Sequence, residues 1–214
     1  MQLVMQNEEA DQLIDRKMPS LLKDRESPGM RKLIYVSPMS LDGYLGDMKY
    51  DWSIPSEAST AFITEVIRPI GTYLYGRRNY ETMGVWDSPE FVSTLTGSTN
   101  LEFARVWQAA DKVIYSKTLG AVSTKKTRLE RNFDPEAIRK MKASSPNDLC
   151  VGGANLAAQA IRAGLVDEIH LLVVPATLGG GISVLPRDYP LHLELLQKQK
   201  VGDGWVSLRY RPKV

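Results

Sequence analysis

Two segments, each an apolar stretch that runs into glycine and then into helical spacing, constrain this chain more than anything else in it. The first is Tyr73-Leu74-Tyr75-Gly76-Arg77-Arg78-Asn79-Tyr80-Glu81-Thr82-Met83, and the second is Leu149-Cys150-Val151-Gly152-Gly153-Ala154-Asn155-Leu156. A strand that turns through glycine into a helix aims unpaired backbone N–H groups and a positive helix end at one spot, a geometry suited to phosphate. The chain has 214 residues, 43% of them hydrophobic, which is enough for one sizeable core and favours one domain over two. Two such turns in one domain point to a long ligand with phosphates at more than one point, such as a dinucleotide.

The remaining pattern alternates strand and helix. Strands are predicted at Lys32–Ser37, Thr72–Tyr75, Lys112–Ser116, Leu149–Val151 and Glu168–Val174. Helical spacing covers Ser56–Ile67, Leu101–Ala109, Asp134–Lys142 and Asn155–Ala163, with Asp134 as N-cap and Pro135 at the first helical position. Ser88–Thr99 reads as loop-like, with room for a turn of helix. Leu193–Val201 and Trp205–Tyr210 flank Gly202-Asp203-Gly204, a hairpin signal. Strands alternating with helices and ending in a hairpin predict an α/β domain with a mostly parallel sheet and one antiparallel edge. Residues 1–29 are polar and close on Glu26-Ser27-Pro28-Gly29, and read as a flexible extension with room for a short helix over about Glu8–Arg16. The folded body, residues 30–214, is expected to begin at Met30.

Several function classes are disfavoured. Net charge is +2, too small for a strong nucleic-acid or anionic-membrane field, and neither partner is expected. No run approaches the roughly 20 apolar residues that span a bilayer, and the first 30 residues lack a secretory pattern, so a cytoplasmic location is expected. The single cysteine, Cys150, rules out an intramolecular disulfide framework and a cysteine-rich zinc site, and between Leu149 and Val151 it reads as a buried strand residue. His170 and His192 lack metal-ligand spacing, and no metal is expected. There is no Gly-x-Ser-x-Gly elbow for a serine hydrolase.

Taken in order, these segments resemble the dihydrofolate reductase-like superfamily, and within it the bacterial group related to the C-terminal reductase domain of riboflavin biosynthesis. The resemblance is carried by Ser40-Leu41-Asp42-Gly43-Tyr44, Trp52-Ser53-Ile54-Pro55-Ser56-Glu57, Gly76-Arg77-Arg78-Asn79-Tyr80-Glu81-Thr82-Met83, Val151-Gly152-Gly153-Ala154-Asn155-Leu156, and Gly164-Leu165-Val166-Asp167-Glu168-Ile169 leading to Pro175-Ala176-Thr177-Leu178-Gly179-Gly180-Gly181. It spans Met30 to about Pro212. It implies a three-layer fold with an eight-stranded, mostly parallel sheet, an antiparallel C-terminal hairpin, and NADPH across the C-terminal edge of the strands. Relatives commonly form homodimers, which is the expectation for this chain.

The resemblance assigns roles residue by residue. Gly76, Arg77, Arg78 and Asn79 would grip cofactor phosphates. The chemistry agrees, because guanidinium forks match phosphate oxygens while cations otherwise oppose the N-terminal end of a helix. Ser116 and Lys117 would hold the 2′-phosphate, and Arg77, Arg78 and Lys117 together would favour NADPH over NADH. Val151, Gly152, Gly153, Ala154, Asn155 and Leu156 would pass close to the diphosphate, with a cis peptide expected between the two glycines. Glu57 matches the carboxylate that binds a pteridine in folate-reducing relatives, and Asp42 lies on the loop that closes over the nicotinamide. Both are candidate catalytic residues, although Asp42 otherwise reads as a turn residue and Glu57 as a helix-dipole partner. Trp52, Leu178 and Gly179 are candidate substrate contacts. The surroundings of Glu57 lack the apolar and aromatic run of folate reductases, so dihydrofolate is not the expected substrate. The expected activity is hydride transfer from NADPH to a small pterin- or pyrimidine-like heterocycle. The riboflavin-pathway reductase step and a non-catalytic nucleotide-binding protein of the same fold are the alternatives.

Overall fold

The computed structural model describes residues 31–46 and 55–213. Strands β1 (Leu33–Ser40), β3 (Ile70–Gly76), β4 (Asp111–Tyr115), β5 (Thr127–Glu130), β6 (Asp148–Gly152), β7 (Glu168–Val174), β9 (Leu193–Lys200) and β10 (Val206–Pro212) form one eight-stranded sheet in the order β5-β4-β3-β6-β1-β7-β10-β9. The neighbours from β5 to β7 pair parallel, and β10 runs antiparallel to both β7 and β9. Two short strands, β2 (Tyr44–Leu45) and β8 (Ile182–Ser183), pair apart from it. The helices are α1 (Glu57–Ile67), α2 (Arg77–Met83), α3 (Pro89–Thr94), α4 (Ser98–Ala109), α5 (Pro135–Ser144) and α6 (Ala154–Arg162), with short 3-10 turns at Gly84–Asp87 and Gly202–Gly204.

Strand alternation sorts the side chains into two layers. Leu33, Tyr35, Leu74, Leu149 and Val151 face the layer of α5 and α6, packing with Ile138, Leu156, Ala157 and Ala160. Their neighbours Ile34, Tyr73, Tyr75 and Cys150 face the layer of α1 and α4, with Ile67, Phe103 and Trp107. A period of two along each strand makes this split unavoidable once both faces are covered. Cys150 is buried there, and burial pushes its thiol up to about 12, which makes it an inert core residue.

The expected helix at Asp134 begins as read, with the Asp134 carboxylate accepting from the Glu136 N–H at 3.0 Å. Other elements go beyond expectation. Within the loop-like segment, the turn of helix is a defined helix over residues 89–94, started by Ser88 and Pro89. Thr127–Glu130 forms an unexpected edge strand against β4. The short helix expected within Glu8–Arg16 and the candidate Trp52 lie outside the described residues.

At the base of β7, the Glu168 carboxylate is buried among cations. It accepts from Lys32 Nζ at 2.8 Å and from Arg209 Nε at 2.6 Å, and lies 2.9 Å from His170 Nε2. Burial alone would raise its pKa, but the hydrogen bonds from His170, Arg209 and Lys32 outweigh burial and hold the carboxyl well below its ordinary range. This cluster ties β1, β7 and β10 together. No helix among the described residues is long and apolar enough to cross a membrane, and no described cluster of His, Cys, Asp and Glu could hold a metal ion.

Candidate functional site

A cleft of about 1300 Å³ opens along the sheet where β1, β3, β4 and β6 end. A single small ligand usually needs about 300–1,000 Å³, so this volume has room for a cofactor and a second molecule. Its walls have two characters. The turns after β3, β4 and β5 supply Arg77, Arg78, Lys117 and Arg131, and the one carboxylate among its described lining residues is Glu81. Strands β1 and β7 and helices α1 and α4 supply Val36, Leu172, Ile63, Ile67, Phe103 and Trp107, with Tyr73, Tyr75 and Trp205.

The helix starts explain why the basic flank suits an anion. Helices α1, α3 and α5 are capped by the side chains of Ser56, Ser88 and Asp134. Helices α2 and α6 open onto the cleft from Gly76 and Gly153 with no side-chain cap; α4 also lacks one, but its Gly97 does not line the cleft. Their first-turn N–H groups therefore lack the usual side-chain acceptor. A Cβ added at Gly76 would meet nothing within 4 Å, so the space above this turn is open.

The cations are held differently. Arg77 donates from Nε to Glu81 at 2.7 Å and from Nη1 to the Thr118 hydroxyl at 3.2 Å. Arg131 donates to the carbonyls of Ser116 at 3.1 Å and Leu119 at 2.6 Å, which braces the turn after β4. Ser116 Oγ accepts from the Leu119 N–H at 3.0 Å within that turn. Tyr80 on α2 supports the same segment by accepting from the Ser123 N–H at 2.8 Å. Arg78 and Lys117 are exposed, line the cleft, and make no hydrogen bond or ion pair with described residues. Two unengaged cations beside uncapped helix starts fit the phosphates of a dinucleotide, including an extra 2′-phosphate.

The expected cofactor residues Gly76, Arg77, Arg78, Asn79, Ser116, Lys117, Gly152, Gly153, Ala154, Asn155 and Leu156 are all brought to this one cleft. Val151 is not among them: it is fully buried in the opposite layer against α5 and α6. The expected cis peptide at Gly152–Gly153 is absent, since no described peptide bond is cis. Gly153 instead turns the chain at φ 89, ψ 125, which glycine adopts without the cost of a cis bond. Gly152 is required by close packing, because a Cβ there would sit 2.5 Å from Asn79 Nδ2 and 2.6 Å from the Tyr75 ring. Tyr75 is fixed by a 3.2 Å hydrogen bond from Trp107 Nε1 and cannot swing away freely. Gly152→Ala is expected to destabilise the fold by about 1–3 kcal/mol, read as a lowered thermal midpoint.

The candidate catalytic carboxylates lie elsewhere. Glu57 is exposed at the start of α1 and accepts from the Thr99 hydroxyl at 3.0 Å, while the α1 side chains on the cleft are Ile63 and Ile67. Asp42 is a brace between loops. It accepts from Ser40 Oγ at 2.6 Å, from the Leu178 N–H at 3.1 Å and from the Gly179 N–H at 2.7 Å. The Ser40 hydroxyl, with these two amides, holds its carboxyl below the usual range. Asp42, Leu178 and Gly179 are absent from the described lining of the cleft, where Leu45, Gly46 and Ile182 of the β2–β8 region stand instead. Sequence reasoning missed Arg131, Tyr73 and Trp107. Tyr73 shares a strand face with Tyr75, and strand alternation alone would have placed it beside the glycine turn.

Comparison with known proteins agrees with this geometry. Residues 31–207 match the model of the RibD C-terminal domain family. The chain belongs to that family. A relative from Bacillus subtilis (strain 168), the protein YyaP, is 26% identical over 193 residues, covering 84% of this chain and 94% of its own. Among solved structures, a putative riboflavin biosynthesis protein from Shewanella sp. PV-4 superposes with a TM-score of 0.65 at 21% identity, covering 86% of this chain and 99% of that one. RibD of Acinetobacter baumannii gives 0.63 at 18% identity, covering 87% of this chain and 59% of that longer one. The RibD C-terminal domain fold is thus shared, with its mostly parallel sheet and antiparallel C-terminal strands.

Proposed function

We propose that this chain is an NADPH-dependent reductase that transfers hydride to a small, pterin- or pyrimidine-like heterocycle. The observation that carries this reading is the single cleft that joins the Gly76 and Gly153 turns, the unengaged cations Arg78 and Lys117, and an aromatic flank. When bound, NADPH supplies the hydride. The chain binds and orients. Amides of α2 and α6 and the side chains of Arg78 and Lys117 take the phosphates, while the Val36, Ile63, Ile67 and Leu172 side excludes water from the reacting rings. No described carboxylate lines that apolar side and Glu57 accepts from Thr99, so this reading assigns the proton to no described carboxylate. That same observation favours a second reading, a nucleotide-binding protein of this fold without turnover. Absorbance of NADPH followed against a panel of pterins and pyrimidines separates the two. Oxidation that depends on one of these compounds supports the reductase. NADPH binding without oxidation by any of them supports the second reading.

A further inference from the structure

Helix α2 grips the loop that carries Lys117. Residues 116–126, the connection from β4 to β5, contain no helix or strand, so what they touch sets their path. Ser116, Lys117 and Thr118, at the start of this loop, line the cleft. Arg77 and Tyr80, three positions apart on one face of α2, reach the loop at separate points. Arg77 Nη1 donates to the Thr118 hydroxyl at 3.2 Å. Tyr80 Oη accepts from the Ser123 N–H at 2.8 Å, from the Thr124 N–H at 3.2 Å and from Thr124 Oγ1 at 3.4 Å, and lies 3.3 Å from Ser123 Oγ.

The ring and the hydroxyl of Tyr80 have separate uses. Tyr80 is 4% exposed, and its ring sits in the core layer of α1 and α4, where Leu119 and Val122 of the loop also pack. Phenylalanine would fill that place equally well. Every polar neighbour of the oxygen belongs to the loop, and a phenol with two lone pairs and one proton has no capacity left for a ligand. Tyr80 is also absent from the described lining of the cleft, although Arg77, Arg78, Asn79 and Glu81 around it are present. The hydroxyl therefore acts on the cleft through the loop alone. Lys117 is where that matters. It is exposed and bonds no described side chain, so only the path of its backbone holds its ammonium beside the Gly76 turn. A cation held in place before the ligand arrives loses less freedom on binding than one on a loose loop.

We infer that Tyr80 is a positioning residue for recognition of the 2′-phosphate. Its hydroxyl ties the β4–β5 loop to α2 and so keeps Lys117 within reach of an anion at the Gly76 turn. Loss of the hydroxyl costs the preference for NADPH over NADH, and leaves binding of the dinucleotide as such. The inference rests on the NADPH reading of the cleft.

The test titrates the full chain with NADPH and with NADH by nicotinamide fluorescence, in the native protein, Tyr80→Phe, Lys117→Ala and the double variant. Tyr80→Phe keeps the ring and is expected to weaken NADPH by about fivefold or more, part of one charge-assisted hydrogen bond, and NADH by less than about twofold. With Lys117 already alanine, Tyr80→Phe should change NADPH binding by less than about twofold, because a residue that acts through another has no effect once that other is gone. Coupling is reciprocal, so in the native protein NADPH should slow hydrogen exchange at the Ser123 and Thr124 amides more than NADH does. The inference is overturned by equal losses for the two cofactors, by unchanged NADPH binding in Tyr80→Phe, by a loss that persists without Lys117, or by equal protection of the two amides. Native protein that binds neither cofactor overturns the NADPH reading and the inference with it. A native preference for NADPH that survives Tyr80→Phe overturns the inference alone.

Discussion

Replacing Glu168 with alanine is expected to destabilise the protein by about 3 kcal/mol, the low end for breaking a buried ion pair. The low end applies because Glu168 is 3% exposed while its partners Lys32 and Arg209 are 44% and 34% exposed, and can recover part of their hydration. The sign of the pH dependence follows from the depressed carboxyl. An unfolded glutamate titrates near about 4.3. The folded form holds its charge to lower pH, so this contribution is fully present above the unfolded value. It drains away as pH falls toward the folded one. Denaturant unfolding from pH 7 to pH 3 should show native protein losing stability over the acid range, and Glu168→Gln losing less of it. Equal acid slopes for the two proteins would show that Glu168 does not set the acid sensitivity.

The second large effect is expected at the cofactor phosphates. Hydrogen bonds to charged groups contribute about 1.5–3 kcal/mol each. Removing both unengaged cations in Arg78→Ala/Lys117→Ala should therefore weaken NADPH by about 100-fold or more, while NADH loses much less. Arg77→Ala should do less than Arg78→Ala, because Arg77 is already engaged by Glu81 and Thr118. Circular dichroism should be unchanged, since Arg78 and Lys117 are exposed and bond no described residue. A double variant that binds NADPH like the native protein would show that these cations face solvent only.

What was legible in the sequence was whatever depends on neighbours along the chain. The α5 start follows from Asp134-Pro135, and β7 from an apolar run that both sheet faces demand. The glycine turns were readable because a strand that passes through glycine into a helix is itself a local pattern. Features set by tertiary placement were not. The edge strand Thr127–Glu130 pairs with β4 alone and alternates between exposed and half-buried residues, so it carries little apolar signal. Arg131, which follows it, was hidden for the same reason. The position of Glu57 depends on the rotation of α1, fixed by burial of Ser59, Thr60, Thr64 and Ile67, and a motif match at the helix start cannot supply that rotation. The glycine at 152 was singled out for close approach of a cofactor, and the fold adds a packing demand of its own that the sequence did not show: Tyr75 and Asn79 already fill the space a side chain would need.

The central claim, a phosphate cradle built for NADPH, is tested most directly by titrating the purified protein with NADPH and with NADH and following nicotinamide fluorescence. Tight binding of NADPH with clearly weaker binding of NADH is the predicted result. No binding of either, or equal binding of both, would contradict the assignment of Arg78 and Lys117 as the cations that grip the cofactor phosphates.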